Sequence, residues 1–184
     1  MDSNIKEILN TRENREKLIQ IFPLLSNDVN FEILSPRTPI YNCIAWAMQF
    51  ADRWVDIYDL PGHWWPNGVA RNSSPESLVC AFEAVGFSVT DDDCIEDDFN
   101  KVILYKDVAS NEWTHASRLV AESIEHSKFG EAWDGSHSRN SISGDCYGIP
   151  YCIMKRRKSH SCQFEKKHGQ ITANLDLLKG MLKK

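Results

Sequence analysis

Pro39-Ile40-Tyr41-Asn42-Cys43-Ile44-Ala45-Trp46-Ala47-Met48 is the stretch on which the reading of this chain turns. Pro39 fixes its own φ and pushes the residue before it out of helical geometry. Asn42 is a good helix N-cap, and the apolar run behind it carries strong helix formers in Ala45, Ala47 and Met48. The pattern predicts a buried helix with Cys43 in its first turn, running to about Phe50 or Ala51. At such a start, unpaired N–H groups and the helix dipole favour an anion, so a thiol there ionises more readily. Cys43 therefore has two readings, a nucleophile or a small buried hydrophobe.

Outward from this stretch, composition sets bounds. The chain has 184 residues, 42% hydrophobic and 26% charged, which suits one domain with a real core. No apolar run approaches the ~20 residues of a membrane helix, so no membrane partner is expected. The polar start, Met1-Asp2-Ser3-Asn4, lacks the order of a signal peptide. The expected location is cytoplasmic, or exported without a standard signal. Six cysteines fit no common zinc spacing, and they are read as thiols. From Lys155 onward there are nine Lys or Arg against two Asp or Glu. The rest is strongly acidic, which argues against nucleic-acid binding by the main domain.

On the N-terminal side, Ile5 to Phe22 reads as helical, with Thr11 starting a second segment and Pro23 ending it. On the C-terminal side comes an aromatic, turn-rich segment, Gly62-His63-Trp64-Trp65-Pro66-Asn67-Gly68. With Trp46, the tryptophans Trp64 and Trp65 are candidates to line a binding cleft. Ser74-Pro75-Glu76 starts another helix, closed by Gly86. Strands are predicted over 87–90, 101–106, 113–120, 124–128 and 146–154, and Gly130 to Asp145 reads as a loop. A short helix over 171–182 is expected to close the chain. The order, helices first and then adjacent strands, predicts an α+β fold with N-terminal helices packed on a small antiparallel sheet.

Cysteine hydrolysis needs a thiolate, a proton carrier and a group that orients the carrier. A helix-borne cysteine and a later strand-borne histidine suit that chemistry, and Cys43 with His115 is such a pair. Tyr41-Asn42-Cys43-Ile44-Ala45-Trp46-Ala47, Lys101-Val102-Ile103-Leu104-Tyr105, Thr114-His115-Ala116-Ser117-Arg118, Ser127-Lys128-Phe129-Gly130, Asp134-Gly135-Ser136-His137 and Tyr147-Gly148 follow one another in a familiar order. That order resembles a largely uncharacterised bacterial domain family, similar in turn to papain-like cysteine hydrolases of the broad NlpC/P60 kind. The likeness spans roughly 36–156, which leaves 1–35 as a helical covering segment and 157–184 as a basic tail. It implies a papain-like domain with Cys43 as nucleophile and His115 as base.

The resemblance places a third catalytic member on or after the strand that follows the histidine. Asp134 is preferred, because a carboxylate fixes the imidazole tautomer and stabilises its cation. His137 and His126 are the alternatives. Lys128 is a candidate substrate contact. No glutamine stands shortly before Cys43, so an oxyanion hole would use backbone groups or another side chain. The expected activity is cysteine-dependent amidase or peptidase chemistry on a peptide, protein or peptidoglycan-type substrate. No metal and no cofactor are expected. Related hydrolases include delivered effectors held in check by an immunity protein. The competing reading is a catalytically idle module that grips a peptide or protein through its aromatic segment.

Overall fold

The computed structural model of the chain describes residues 3–144 and 146–158. The helix expected over 171–182 lies outside the described residues, as does most of the basic tail. Two helices open the chain, α1 (Ser3–Leu9) and α2 (Arg12–Ile21), with a 3-10 turn at Pro23–Asn27. Thr11 caps α2 by accepting the Asn14 N–H at 3.2 Å. Strand β1 (Glu32–Ile33) leads to α3 (Cys43–Met48), then to the short strands β2 (Trp54–Val55) and β3 (His63–Trp64) and to α4 (Pro75–Ala84). Strands β4 (Ser88–Thr90), β5 (Phe99–Lys106), β6 (Trp113–Ala121), β7 (Ile124–Lys128), β8 (Asp134–Ser138) and β9 (Ile149–Arg157) complete the order. No helix among the described residues is long and apolar enough to cross a membrane.

Seven strands form one sheet in the order β1-β8-β7-β6-β5-β9-β4, each neighbouring pair antiparallel. This overturns the expected architecture. The fold is mainly β, built on a large antiparallel sheet with a few short helices, and not a papain-like α+β domain with N-terminal helices packed on a small sheet. The physical reason lies in β8. Its sequence, Asp134-Gly135-Ser136-His137-Ser138, carries no apolar alternation, so it reads as loop. Its polar side chains are nevertheless buried, and internal hydrogen bonds compensate them. Gly135 is required there, since a Cβ would stand 2.7 Å from the Phe129 ring.

Both faces of the sheet are covered. Val102, Leu104, Ala116 and Met154 pack with Ile44 and Met48 of α3 and with Leu78 and Phe82 of α4. Ile103, Tyr105 and Leu119, which alternate with them, pack with Leu18, Phe22 and Leu25 from the N-terminal helical segment. Strand β5 is thus buried on both sides and reads as an unbroken apolar run. The separate β2–β3 pair is parallel and carries Trp54, His63 and Trp64 beside the approach to α3.

Candidate active site

Cys43 is the first residue of α3, and Asn42 fixes it there. The Asn42 side chain accepts the Ala45 N–H at 3.0 Å and the Val55 N–H at 3.2 Å, and donates to the Val55 carbonyl at 2.8 Å. One side chain therefore caps the helix and clamps it to β2. The Cys43 sulfur faces the backbone N–H groups of Ala116 on β6 and of Ile44 and Cys43 itself, with the Lys128 charge nearby. All four favour a thiolate. Cys43 keeps part of its surface, but desolvation of the sulfur opposes them and dominates, pushing the thiol up to about 11. The expected easy ionisation is therefore absent at rest. Six residues of helix and three N–H groups do not offset the loss of water around the sulfur.

His115 is fully buried on β6. Its Nε2 stands 2.9 Å from Ser127 Oγ, and that oxygen stands 2.8 Å from His137 Nε2. His137 Nδ1 in turn lies 3.0 Å from the Ser138 carbonyl. A carbonyl only accepts, so His137 carries its proton on Nδ1 and presents a lone pair at Nε2. Ser127 then donates to His137 and accepts from His115 Nε2–H. The chain of donors leaves the lone pair of His115 on Nδ1. That nitrogen is buried and has no hydrogen-bond partner among the described residues. Burial holds both imidazoles below their ordinary range, so both are neutral at pH 7. The His115 ring stacks on Tyr147 with centroids 3.9 Å apart and meets Tyr105 edge-on at 5.5 Å.

Cys43 and His115 are not hydrogen-bonded. The sulfur arrives from the α3 side, whereas His115 belongs to the layer of Tyr105, Ser127 and His137. What relates them is one peptide unit, since the N–H facing the sulfur belongs to Ala116, the residue after His115. Tyr147 is a second link, because its phenol feels the sulfur's charge while its ring lies on His115. The ladder between β6 and β7 is paired only as far as Arg118 and His126 and does not reach His115 and Ala116.

Asp134 is held elsewhere. Its Oδ2 accepts from Ser35 Oγ at 2.7 Å and from Tyr41 OH at 2.9 Å, and burial pushes its carboxyl up. It makes no contact with His115. His137 reaches His115 through Ser127. His126 lies across from Arg118, and burial lowers it to about 4. Lys128 is fully buried and stands opposite Asp134 in the β7–β8 register, without an ion pair between them. Of the tryptophans, Trp65 is buried and stacks on Trp113, while Trp64 sits edge-on to Phe50. Trp46 lies between Tyr41 and the Arg118 guanidinium, which is 3.8 Å from its ring centroid. These rings are chiefly packing. The sequence reading did not single out Ser127, Ser35, Tyr41 or Tyr147, although Ser127, Tyr41 and Tyr147 lie inside the motifs it quoted.

A family model described as "Domain of unknown function (DUF7689)" matches residues 32–155, more than half of the chain. No curated protein and no solved structure gives a significant match.

Proposed function

The chain belongs to the DUF7689 family, and we propose that it is a cysteine-dependent hydrolase of amide bonds, with Cys43 as nucleophile and His115 as base. The observation that carries this reading is the directed chain Ser138–His137–Ser127–His115, which ends on a lone pair at Nδ1 with no hydrogen-bond partner among the described residues. A histidine that merely fills a core has no need of a fixed tautomer with its lone pair left open. Here the relay takes the part that Asp134 was expected to take, with Ser127 and His137 as orienting groups. The likeness to papain-like hydrolases is one of residue roles and does not extend to the fold.

The resting pair is neutral thiol and neutral imidazole. In the reaction, His115 Nδ1 takes the Cys43 proton as the sulfur attacks the amide carbon. The carbonyl π pair moves to oxygen, and backbone N–H groups at the start of α3 are the available donors for it. When the C–N bond breaks, the proton on Nδ1 passes to the leaving amine. Water then hydrolyses the thioester and returns the thiol. The substrate class is a peptide, protein or peptidoglycan-type amide. If the protein is a delivered toxin, its partner is an immunity protein that blocks this entrance. Cys43 and His115 must close together for the first step, and catalytic contacts commonly tighten on binding.

The test is to incubate the protein with peptide and peptidoglycan-fragment mixtures and search by mass spectrometry for cleavage and for an acyl group on Cys43. Cleavage that disappears in both Cys43→Ala and His115→Ala is the expected result. If neither variant alters any product, and His115→Ala leaves Cys43 alkylation unchanged, the reading fails. The raised thiol favours one rival, an idle binding module on the same fold. Under that reading Cys43→Ala retains the full biological effect.

A further inference from the structure

We infer that Lys128 is the cation that holds negative charge on the Cys43 sulfur, with Tyr41 and the Asp134 charge beside it. The inference takes its catalytic meaning from the reading of Cys43 as nucleophile. A lysine buried this completely is rare unless it has a counter-charge. Lys128 Nζ donates to the Ala132 carbonyl at 2.5 Å and lies 5.4 Å from the Tyr41 ring centroid. Tyr41 OH also donates to Asp134, the residue opposite Lys128. Tyr41 therefore touches both charged groups, and two residues later the same backbone delivers the sulfur.

The charges around Lys128 come from Asp134 on β8, Cys43 on α3, and Arg37 and Glu131 in the neighbouring loops. Burial is the largest influence on it and lowers its ammonium to about 8, while Asp134 and Cys43 push the other way. Burial likewise pushes the Asp134 carboxyl up, and its Oδ1 has no hydrogen-bond partner among the described residues. The carboxylate alone thus leaves the ammonium incompletely compensated. When Cys43 gives up its proton, Lys128 acquires a second counter-charge in a dry setting, where such attraction is strong. Asp134, expected to orient the base, is instead held by Ser35 and Tyr41 as a charge near Lys128.

The experiment follows iodoacetamide labelling of Cys43 in the full chain, resolved from the other cysteines by mass spectrometry, between pH 6.5 and 10. Lys128→Met, Lys128→Arg and His115→Ala are compared with the wild type, with folding checked by circular dichroism. At pH 7, Lys128→Met is expected to slow labelling by about fivefold or more, and Lys128→Arg to stay within about twofold of wild type. The wild-type advantage over Lys128→Met should fall as pH passes about 8, where the ammonium loses its proton. The guanidinium does not titrate there, so Lys128→Arg should show no such fall. Equal slowing by Met and Arg, or a ratio that is flat with pH, overturns the inference. If Lys128→Met does not fold, the wild-type and Lys128→Arg profiles still decide it. A rate that depends on Lys128 but not on His115, with products unaltered in Cys43→Ala and His115→Ala, removes the hydrolase reading alone, and a rate that depends on His115 but not on Lys128 removes this inference alone.

Discussion

The Ser127 hydroxyl oxygen stands 2.9 Å from Nε2 of His115, and both atoms are buried. Ser127 is the joint of the relay, and its removal strands two imidazole nitrogens at once. Ser127→Ala leaves the His115 N–H without an acceptor and the His137 lone pair without a donor. An unsatisfied buried polar group costs about 1–3 kcal/mol, so a stability loss of roughly that size or more is expected from urea unfolding. Without the relay, His115 can also place its proton on Nδ1 and lose its basic nitrogen there. Any Cys43-dependent cleavage should therefore fall by about tenfold or more, in line with the weight of an oriented base. Ser127→Thr keeps the hydroxyl and should restore most of the activity.

Three histidines, His115, His126 and His137, sit below their ordinary range because of burial. In the unfolded chain each titrates near 6.5, so below that pH the unfolded state binds protons that the folded state refuses. Their contribution to stability is present above about 6.5 and is lost as pH falls toward the folded values, which for His126 is about 4. The urea midpoint should therefore drop between pH 7 and pH 5, with more than one proton taken up on unfolding. His126→Gln should shallow that dependence. A midpoint that is flat over this range would show that these rings are charged or exposed in the folded protein.

Helix starts were legible because capping is local. Asn42 before Cys43 and Ser74 before Pro75 announce α3 and α4 in a few letters, and both side chains make the expected bond. Strands β5, β6 and β7 were legible from apolar runs and turn residues. Strand β8 was not, because its buried polar side chains find partners far away in sequence. Ser138 bonds Asp28, Asp134 bonds Ser35, and His137 meets Ser127. Missing β8 shrank the sheet and pulled the fold toward α+β. The same limit governed the site. The Thr114-His115 motif is local, whereas the side chain that meets the His115 ring depends on which faces of β6, β7 and β8 coincide. A helix start is visible in sequence and favours a thiolate at Cys43, whereas the burial that raises the thiol is set by tertiary packing.

Asn42 makes three bonds with one side chain, to Ala45 N–H, Val55 N–H and Val55 C=O. Asn42→Ala removes the cap and the clamp to β2 together. The expected loss is about 2–3 kcal/mol, larger than the ~1 kcal/mol of a cap alone. Asn42→Ser keeps a hydroxyl that can accept the Ala45 N–H and gives up the bonds to Val55, so it should cost less. Equal losses for the two variants in denaturant unfolding would mean that the β2 clamp, and not the cap, carries the effect.

Gly148 follows Tyr147, and no other residue fits its place. Its φ is +68°, and a Cβ there would lie 1.9 Å from the Lys106 carbonyl oxygen. The obstacle is backbone, so no rotamer relieves it. Gly148→Ala must shift the segment that carries Tyr147, whose carbonyl accepts from Thr114 Oγ1 at 2.6 Å. The cost should exceed the ~1 kcal/mol typical of glycine replacement at a compatible site, because both φ and space are wrong. Tyr147 is the ring stacked on His115, so the displacement should also reach the site. Two measurements check this. Urea unfolding should show the stability loss, and under native conditions Cys43 should alkylate at a changed rate although residue 148 carries no reactive group. A destabilised variant with an unaltered Cys43 rate would show that the Tyr147 ring does not couple the turn to the sulfur.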